Sequence, residues 1–348
     1  MPSSIKTMKK FLFIILVAVI LVGGIFIISQ ELAKDRDKAK EVNGNNFEKI
    51  SIVSTLFPIY DFAKEIGGDK VSVTLLLPPG LEAHSFEPKP SDIIKINKAD
   101  IFLYSGELME PWARDISRGL SGEVKVIDTS FGIEMIEELK HDDEDDEVNK
   151  DEQEELYKEG EAQEPSKNDR QLDPHIWLDF DNAKTIATTI AQALIQIDTE
   201  NASYYQANLE NYLAKLTALD NSYQTTLENC ESREIIYGGH YTFGYLAKRY
   251  DLNYQSAQGF APNSEPSAND LIYLIEEIKA NDVKYVFYEE LLSPKIAETL
   301  ARETKTKLLL LNAAHNLSKD DYQAGLTFIL IMENNLENLS VGLNCELK

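Results

Sequence analysis

The chain has 348 residues, 43% of them hydrophobic, and carries 59 Asp and Glu against 34 Lys and Arg, a formal net charge of −25. That length and apolar content suffice for two globular domains of ordinary size. The acidic balance excludes nucleic acid as a partner, since phosphate binding needs clustered Lys and Arg, and it suits solubility and the attraction of cations.

Lys6, Lys9 and Lys10 precede Phe11–Ile28, an apolar run of 18 residues. Positive charge before an apolar stretch sets an N-in orientation, and 18 residues is the short end of a membrane span. No clear small-x-small cleavage site follows it, and no nearby cysteine is available to carry a lipid. Residues 1–30 are therefore expected to anchor the chain to the outer face of the cell membrane, with a cleaved signal peptide as the alternative. In either case the rest lies outside the cytoplasm, secreted or periplasmic if the segment is removed. Residues 31–47 are polar and read as a tether.

From residue 48 strands and helices alternate. KISIVST, VSVTLLLP, DIFLYSG and VKVIDTS read as strands. FPIYDFAKEIGG, PSDIIKINKA and PWARDISRGL read as the helices between them. This order implies parallel pairing in a doubly wound α/β sheet, and the continuous apolar runs fit strands buried on both faces.

Residues 137–171 break the pattern. Within 142–164 there are 13 Asp and Glu against 2 Lys, a net of −11, without apolar periodicity. Such a segment is expected to be a disordered loop. Order returns at DPHIWLD. A helix follows with Ile186, Ile190, Leu194 and Ile197 on one face. A longer one, from Ser203 to Glu228, carries Tyr205, Leu209, Tyr212, Leu216, Leu219 and Tyr223 at helical spacing. At about 1.5 Å per residue it reaches roughly 40 Å, enough to bridge two lobes. After Cys230 the βα pattern restarts: EIIYGGH, LNYQSAQ, VKYVFYEE and KLLLLNAA as strands, with NDLIYLIEEIKAN, PKIAETLARETK and a final 320–343 segment as helices. The expected organisation is a first lobe over 48–200, a rigid linker helix over 201–229 and a second lobe over 230–348.

Four of the five histidines fall where ligands bind in such sheets, in loops at the carboxyl ends of strands. His84 follows VTLLLPPGLEA, His240 ends EIIYGGH, His315 follows KLLLLNAA, and His175 sits in DPHIWLD. Neutral imidazole is the commonest metal ligand. Two ligands from each lobe would close a cleft around one tetrahedral Zn²⁺ and leave no open position for a reacting water, which reads as binding and not catalysis. A lone loop histidine is more often an exposed or capping side chain, and it is the joint placement that points to a metal. An all-nitrogen set favours Zn²⁺ over Mn²⁺ but also suits Cu²⁺. Asp173 and Asp179, flanking His175, are candidates to orient its ring, with a helix cap an equal alternative for Asp179 or Asp181. His141 opens the acidic run and is expected, at most, to collect cations as an accessory site. With ordinary histidine values near ~6.5, proton competition is expected to weaken binding below about pH 6. Cys230 and Cys345 lack C-x-x-C spacing, so they are unlikely metal ligands. In an exported chain they are expected to form a disulfide, with two buried thiols as the alternative.

These stretches, together with LPPGLEAHSFEPKPSDIIKINKADIFLYSGELMEPW, DPHIWLDFDNA, GGHYTFGYLAKRYDL and SEPSANDLIYLIEEIKANDVKYVFYEE, resemble the ZnuA-like family, the metal-binding solute-binding proteins of bacterial zinc and manganese ABC importers. The resemblance covers about residues 48–345. It implies two (β/α) lobes joined by one long rigid helix, with metal in the cleft. It also implies a monomeric receptor that hands Zn²⁺ to an ABC permease and, through it, to an ATPase. His84, His175 and His240 match the first three family ligands. The fourth position usually holds Asp, Glu or water, so His315 there is a departure. The alternatives are a manganese or other divalent-metal receptor or an adhesin. A less favoured one is an exported zinc hydrolase using His84, His175 and His240 with Glu289 or Glu290 as base.

Overall fold

The computed structural model describes residues 49–120, 122–137, 172–260 and 265–346. Residues 1–30, the tether, nearly all of the acidic loop and His141 lie outside the described residues.

The first sheet contains β1 (Ile50–Ser54), β2 (Val71–Leu75), β3 (Ile101–Tyr104) and β4 (Lys125–Asp128), all parallel in the order β2-β1-β3-β4. The second contains β5 (Glu234–His240), β6 (Asn253–Gln258), β7 (Tyr285–Tyr288) and β8 (Lys307–Leu310), all parallel in the order β6-β5-β7-β8. The second sheet thus repeats the topology of the first. In each, the winding reverses beside the first strand, where a ligand crevice opens at the strands' carboxyl ends.

Ten helices are seen among the described residues. They are α1 (Phe57–Gly67), α2 (Pro90–Asn97), α3 (Pro111–Gly119), α4 (Phe180–Ile197), α5 (Ala202–Leu227), α6 (Gly244–Tyr250), α7 (Ala268–Ala280), α8 (Lys295–Thr304), α9 (Lys319–Ala324) and α10 (Phe328–Gly342). Proline in the first turn of α1, α2 and α3 fixes φ where no donor is needed. Ser267 and Asp270 form a capping box on α7, and Asp179 accepts from the Asp181 and Asn182 amides to cap α4.

Side chains alternate across each strand, so successive residues enter different cores. Ile52, Leu103, Ile235 and Tyr237 enter one central cluster, which continues through α1, α4, α5, α6 and α10. Val53 and Phe102 face an outer cluster with Ile96 and Ala113, while Ile236 and Val286 face another with Leu274 and Leu300. The two lobes therefore share one core besides the linker. Burying each large apolar side chain contributes about 1.5–3 kcal/mol, so prising the lobes apart would expose many such groups together.

Helix α5 is unbroken over 26 residues and about 39 Å long. It buries Tyr205, Leu209, Tyr212, Leu216, Leu219, Tyr223 and Leu227. Asn208 Nδ2 donates to Ile66 O of α1 at 2.9 Å, and the Tyr223 hydroxyl to Met332 O of α10 at 2.6 Å, so this helix is bonded to both lobes. Cys230, just past its end, is bonded to Cys345 across 115 residues of sequence.

Three local expectations change. The 320–343 segment is two helices: Gly325 adopts φ +74° and ends α9, and Thr327 Oγ1 then accepts from the Leu330 amide to start α10. Ile197 is not on the buried face of α4 but 41% exposed, in its last turn. Helix α6, only seven residues long, was too short to show a period.

Candidate metal centre

The four histidines arrive from four loops and converge. His84 lies in the connection after β2. His175 precedes a single 3₁₀ turn, Ile176–Leu178. His240 is the last residue of β5, and His315 follows β8. One ligand nitrogen from each can be chosen so that all four lie within 4.8 Å of one another. His175, His240 and His315 are buried and His84 is half-buried.

The six ring-centroid separations run only from 4.9 to 5.5 Å. Six near-equal edges define a tetrahedron. For a tetrahedral ion with bonds of about 2.0–2.1 Å, geometry requires nitrogen–nitrogen edges near ~3.3 Å and ring-centroid edges near ~5.2 Å. Nε2 of His175 stands 3.3 Å from Nε2 of His84. Nε2 of His240 and Nε2 of His315 are buried without a hydrogen-bond partner. Leaving such atoms unmatched costs free energy, and a cation at the centre would satisfy both. The donor set fits zinc.

Carboxylates stand behind the rings. Asp173 Oδ1 accepts from the His175 backbone amide at 2.9 Å and meets its Nδ1 at 2.7 Å. Glu289 does the same for His240, with Oε2 3.2 Å from the amide and Oε1 2.8 Å from Nδ1. Each grip fixes Nδ1 as the donor and turns Nε2 inward. Glu290 is looser, with Oε1 3.7 Å from His315 Nδ1 while Oε2 accepts from the Ala313 amide at 3.0 Å. Glu82 holds the first loop by accepting from the His84 amide at 2.7 Å and the Ser85 amide at 2.8 Å. Close packing explains the glycine before His240: a Cβ on Gly239 would collide with the Glu289 carboxylate.

Burial dominates the electrostatics. It lowers His84 to about 4, helped by the charge of His240, and lowers His240 to about 4. It pushes His175 and His315 well below the ordinary 6.5, with neighbouring imidazoles adding to the effect. The four rings are thus neutral and ready to donate lone pairs at physiological pH. Burial also raises Glu289 and Glu290 to about 8.

The structure brings together His84, His175, His240 and His315. It assigns Asp173 to orienting His175, and Asp179 to the α4 cap and an ion pair with Arg249 at 3.1 Å. Glu82 and Asn316 escaped the sequence reading. Glu82 had a signal: a carboxylate two residues before histidine occurs in both Glu82-Ala-His84 and Asp173-Pro-His175. A cavity of about 570 Å³ lies elsewhere, between α1, α5 and α10, and no histidine lines it.

Residues 52–342 match the model of the periplasmic zinc-uptake complex component A, ZnuA. The chain belongs to this ZnuA family. It is 35% identical over 297 residues to the high-affinity zinc uptake system protein ZnuA of Bacillus subtilis, covering 85% of this chain and 88% of that one. It is 32% identical over 314 residues to the zinc-binding protein AdcA of Streptococcus pyogenes, covering 90% of this chain but 59% of that longer protein. Among solved structures it resembles the Zn(II)-bound ZnuA-like domain of Streptococcus pneumoniae AdcA, with a TM-score of 0.68, 30% identity, and coverage of 85% of this chain and 99% of that domain. The two-lobed α/β architecture is thus the ZnuA fold.

Proposed function

We propose that this ZnuA-family protein captures Zn²⁺ outside the cytoplasm on His84, His175, His240 and His315 and delivers it to the permease of an ABC importer. The observation that carries this reading is the tetrahedron of rings around two unpartnered buried nitrogens. The names of its relatives support zinc as the cargo. Four neutral nitrogens bring no negative charge, which favours zinc over manganese. Metal analysis of protein stripped and reloaded with zinc is expected to give one tightly held ion per chain. A chain that retains none after desalting would refute the reading.

A receptor role without catalysis is further supported by the placement of Glu289 and Glu290. Both sit on the Nδ1 side of their histidines, away from the converging Nε2 atoms, so neither is set to deprotonate a metal-bound water. An anchor formed by residues 1–30 would hold the receptor beside its permease, and the chain is proposed to act there as a monomer. Adhesion to a host surface would leave the buried site untouched and is separable by testing a zinc-free variant for transport and adhesion.

A further inference from the structure

Three of the four rings have a carboxylate near Nδ1: Asp173 for His175, Glu289 for His240 and Glu290 for His315. Among the described residues His84 has none paired with its ring, and it is the one ring of the four that is not fully buried. Its position depends on how its loop is held. Glu82 braces that loop from within. The other brace comes from the opposite lobe.

Asn316, directly after His315, is fully buried. Its Nδ2 donates to Pro78 O at 2.8 Å and to Leu81 O at 2.9 Å, across more than 230 residues of sequence. Its Oδ1 accepts from the Leu317 amide at 2.9 Å, which sets the orientation of the side chain. The Gly80 amide donates to Leu317 O at 2.7 Å and completes the seam. Gly80 has φ +88°, a conformation that favours glycine, so the loop is shaped for this approach. One side chain therefore ties the loop that carries His84 to the segment that carries His315. When that tie is made, ligands from both lobes are held in register before metal arrives. When it breaks, the loop bearing the most exposed ligand is freed.

We propose that Asn316 is a positioning residue of the metal site, a latch that holds the His84 loop against the His315 segment and so sets how fast zinc is released. This rests on the zinc-binding reading above. It does not require Asn316 to touch the ion.

The test uses the zinc-loaded full chain, with release into excess EDTA followed by stopped flow. Asn316→Ala removes both donors. Asn316→Asp is nearly isosteric, keeps an acceptor for the Leu317 amide and, ionised, donates nothing. Each is expected to release zinc about ten- to thirtyfold faster, the scale of two lost hydrogen bonds. The decisive arm is the His84→Ala background. There Asn316→Ala is expected to add no acceleration, because the ligand it positions is gone. Cobalt loading gives a second readout: the four-coordinate visible spectrum of the wild type should change in Asn316→Asp toward that of His84→Ala. Unchanged release in both Asn316 variants, or equal acceleration with and without His84, would overturn the latch. A wild-type chain that holds no zinc would overturn the metal reading and the latch with it.

Discussion

Glu289 holds His240 by two atoms at once, its ring Nδ1 and its backbone amide. The two residues are 49 positions apart: His240 ends β5, and Glu289 directly follows the neighbouring β7. The carboxylate thereby fixes both where the ring is attached and which way it turns. Removing it by Glu289→Ala is expected to weaken zinc binding by about 10–100-fold while the fold is retained. Competition against a fluorescent zinc chelator measures this, and an unchanged affinity would show that the grip is irrelevant to binding.

His315 stands in the proposed site at the position where the resemblance implies Asp, Glu or water. His315→Glu would place a carboxylate among three imidazoles. Harder oxygen donors suit Mn²⁺ better than nitrogen does. The ratio of zinc to manganese affinity is expected to fall by at least about tenfold, on the scale where 1.4 kcal/mol changes an equilibrium constant tenfold. Parallel titrations with the two metals would decide it, and a constant ratio would mean that cavity shape, not donor type, selects the ion.

The metal-free protein should have a bounded pH range of stability. His84 and His240 fall from 6.5 to about 4 on folding, chiefly through burial. Their contribution is present above pH 6.5 and is lost as pH drops through about 4. Glu289 and Glu290 rise from 4.5 to about 8, and Asp61 from 3.8 and Glu110 from 4.5 to about 7, again chiefly through burial. Their contribution is fully present only below those ordinary values and is lost as pH rises through 7 to 8. His175 and His315 are lowered further, so between 4.5 and 6.5 four imidazoles oppose four carboxyls. Melting temperature is thus expected to be flat across that interval and to decline on both sides. A curve rising steadily to pH 9 would contradict it. Zinc binding, which needs neutral imidazoles, should persist below the pH 6 expected from ordinary histidines and fail toward about pH 4.

The disulfide closes a loop spanning 115 positions between the end of α5 and the segment after α10. Replacing both cysteines with serine is expected to cost about 2–5 kcal/mol of stability. Denaturant unfolding measures the loss. Zinc affinity is expected to stay within about threefold, because Cys230 and Cys345 touch none of the four ligands, a difference below 1.4 kcal/mol. A larger drop would show that the site depends on this distant tie.

Local patterns in the chain were sufficient for much of this molecule. Alternating apolar runs and helical periods mark the strands and most helices, because burial on a strand face or helix stripe is written in neighbouring residues. Parallel pairing follows from the βα order, and the sequence places His84, His240 and His315 at or after strand ends, whereas His175 directly follows no strand and precedes a 3₁₀ turn. What proximity along the chain does not encode had to come from the fold. Asp173 lies two residues from His175, close enough in sequence to suggest the pair; Glu289 lies 49 from His240, and only the pairing of β5 with β7 brings its carboxylate to the ring. The break at Gly325 depends on a left-handed turn that periodicity alone does not reveal. The convergence of four imidazoles, and the reach of Asn316 across both lobes, are products of packing: the sequence sets which donors exist, and only the shared core brings one nitrogen from each ring within 4.8 Å of the others.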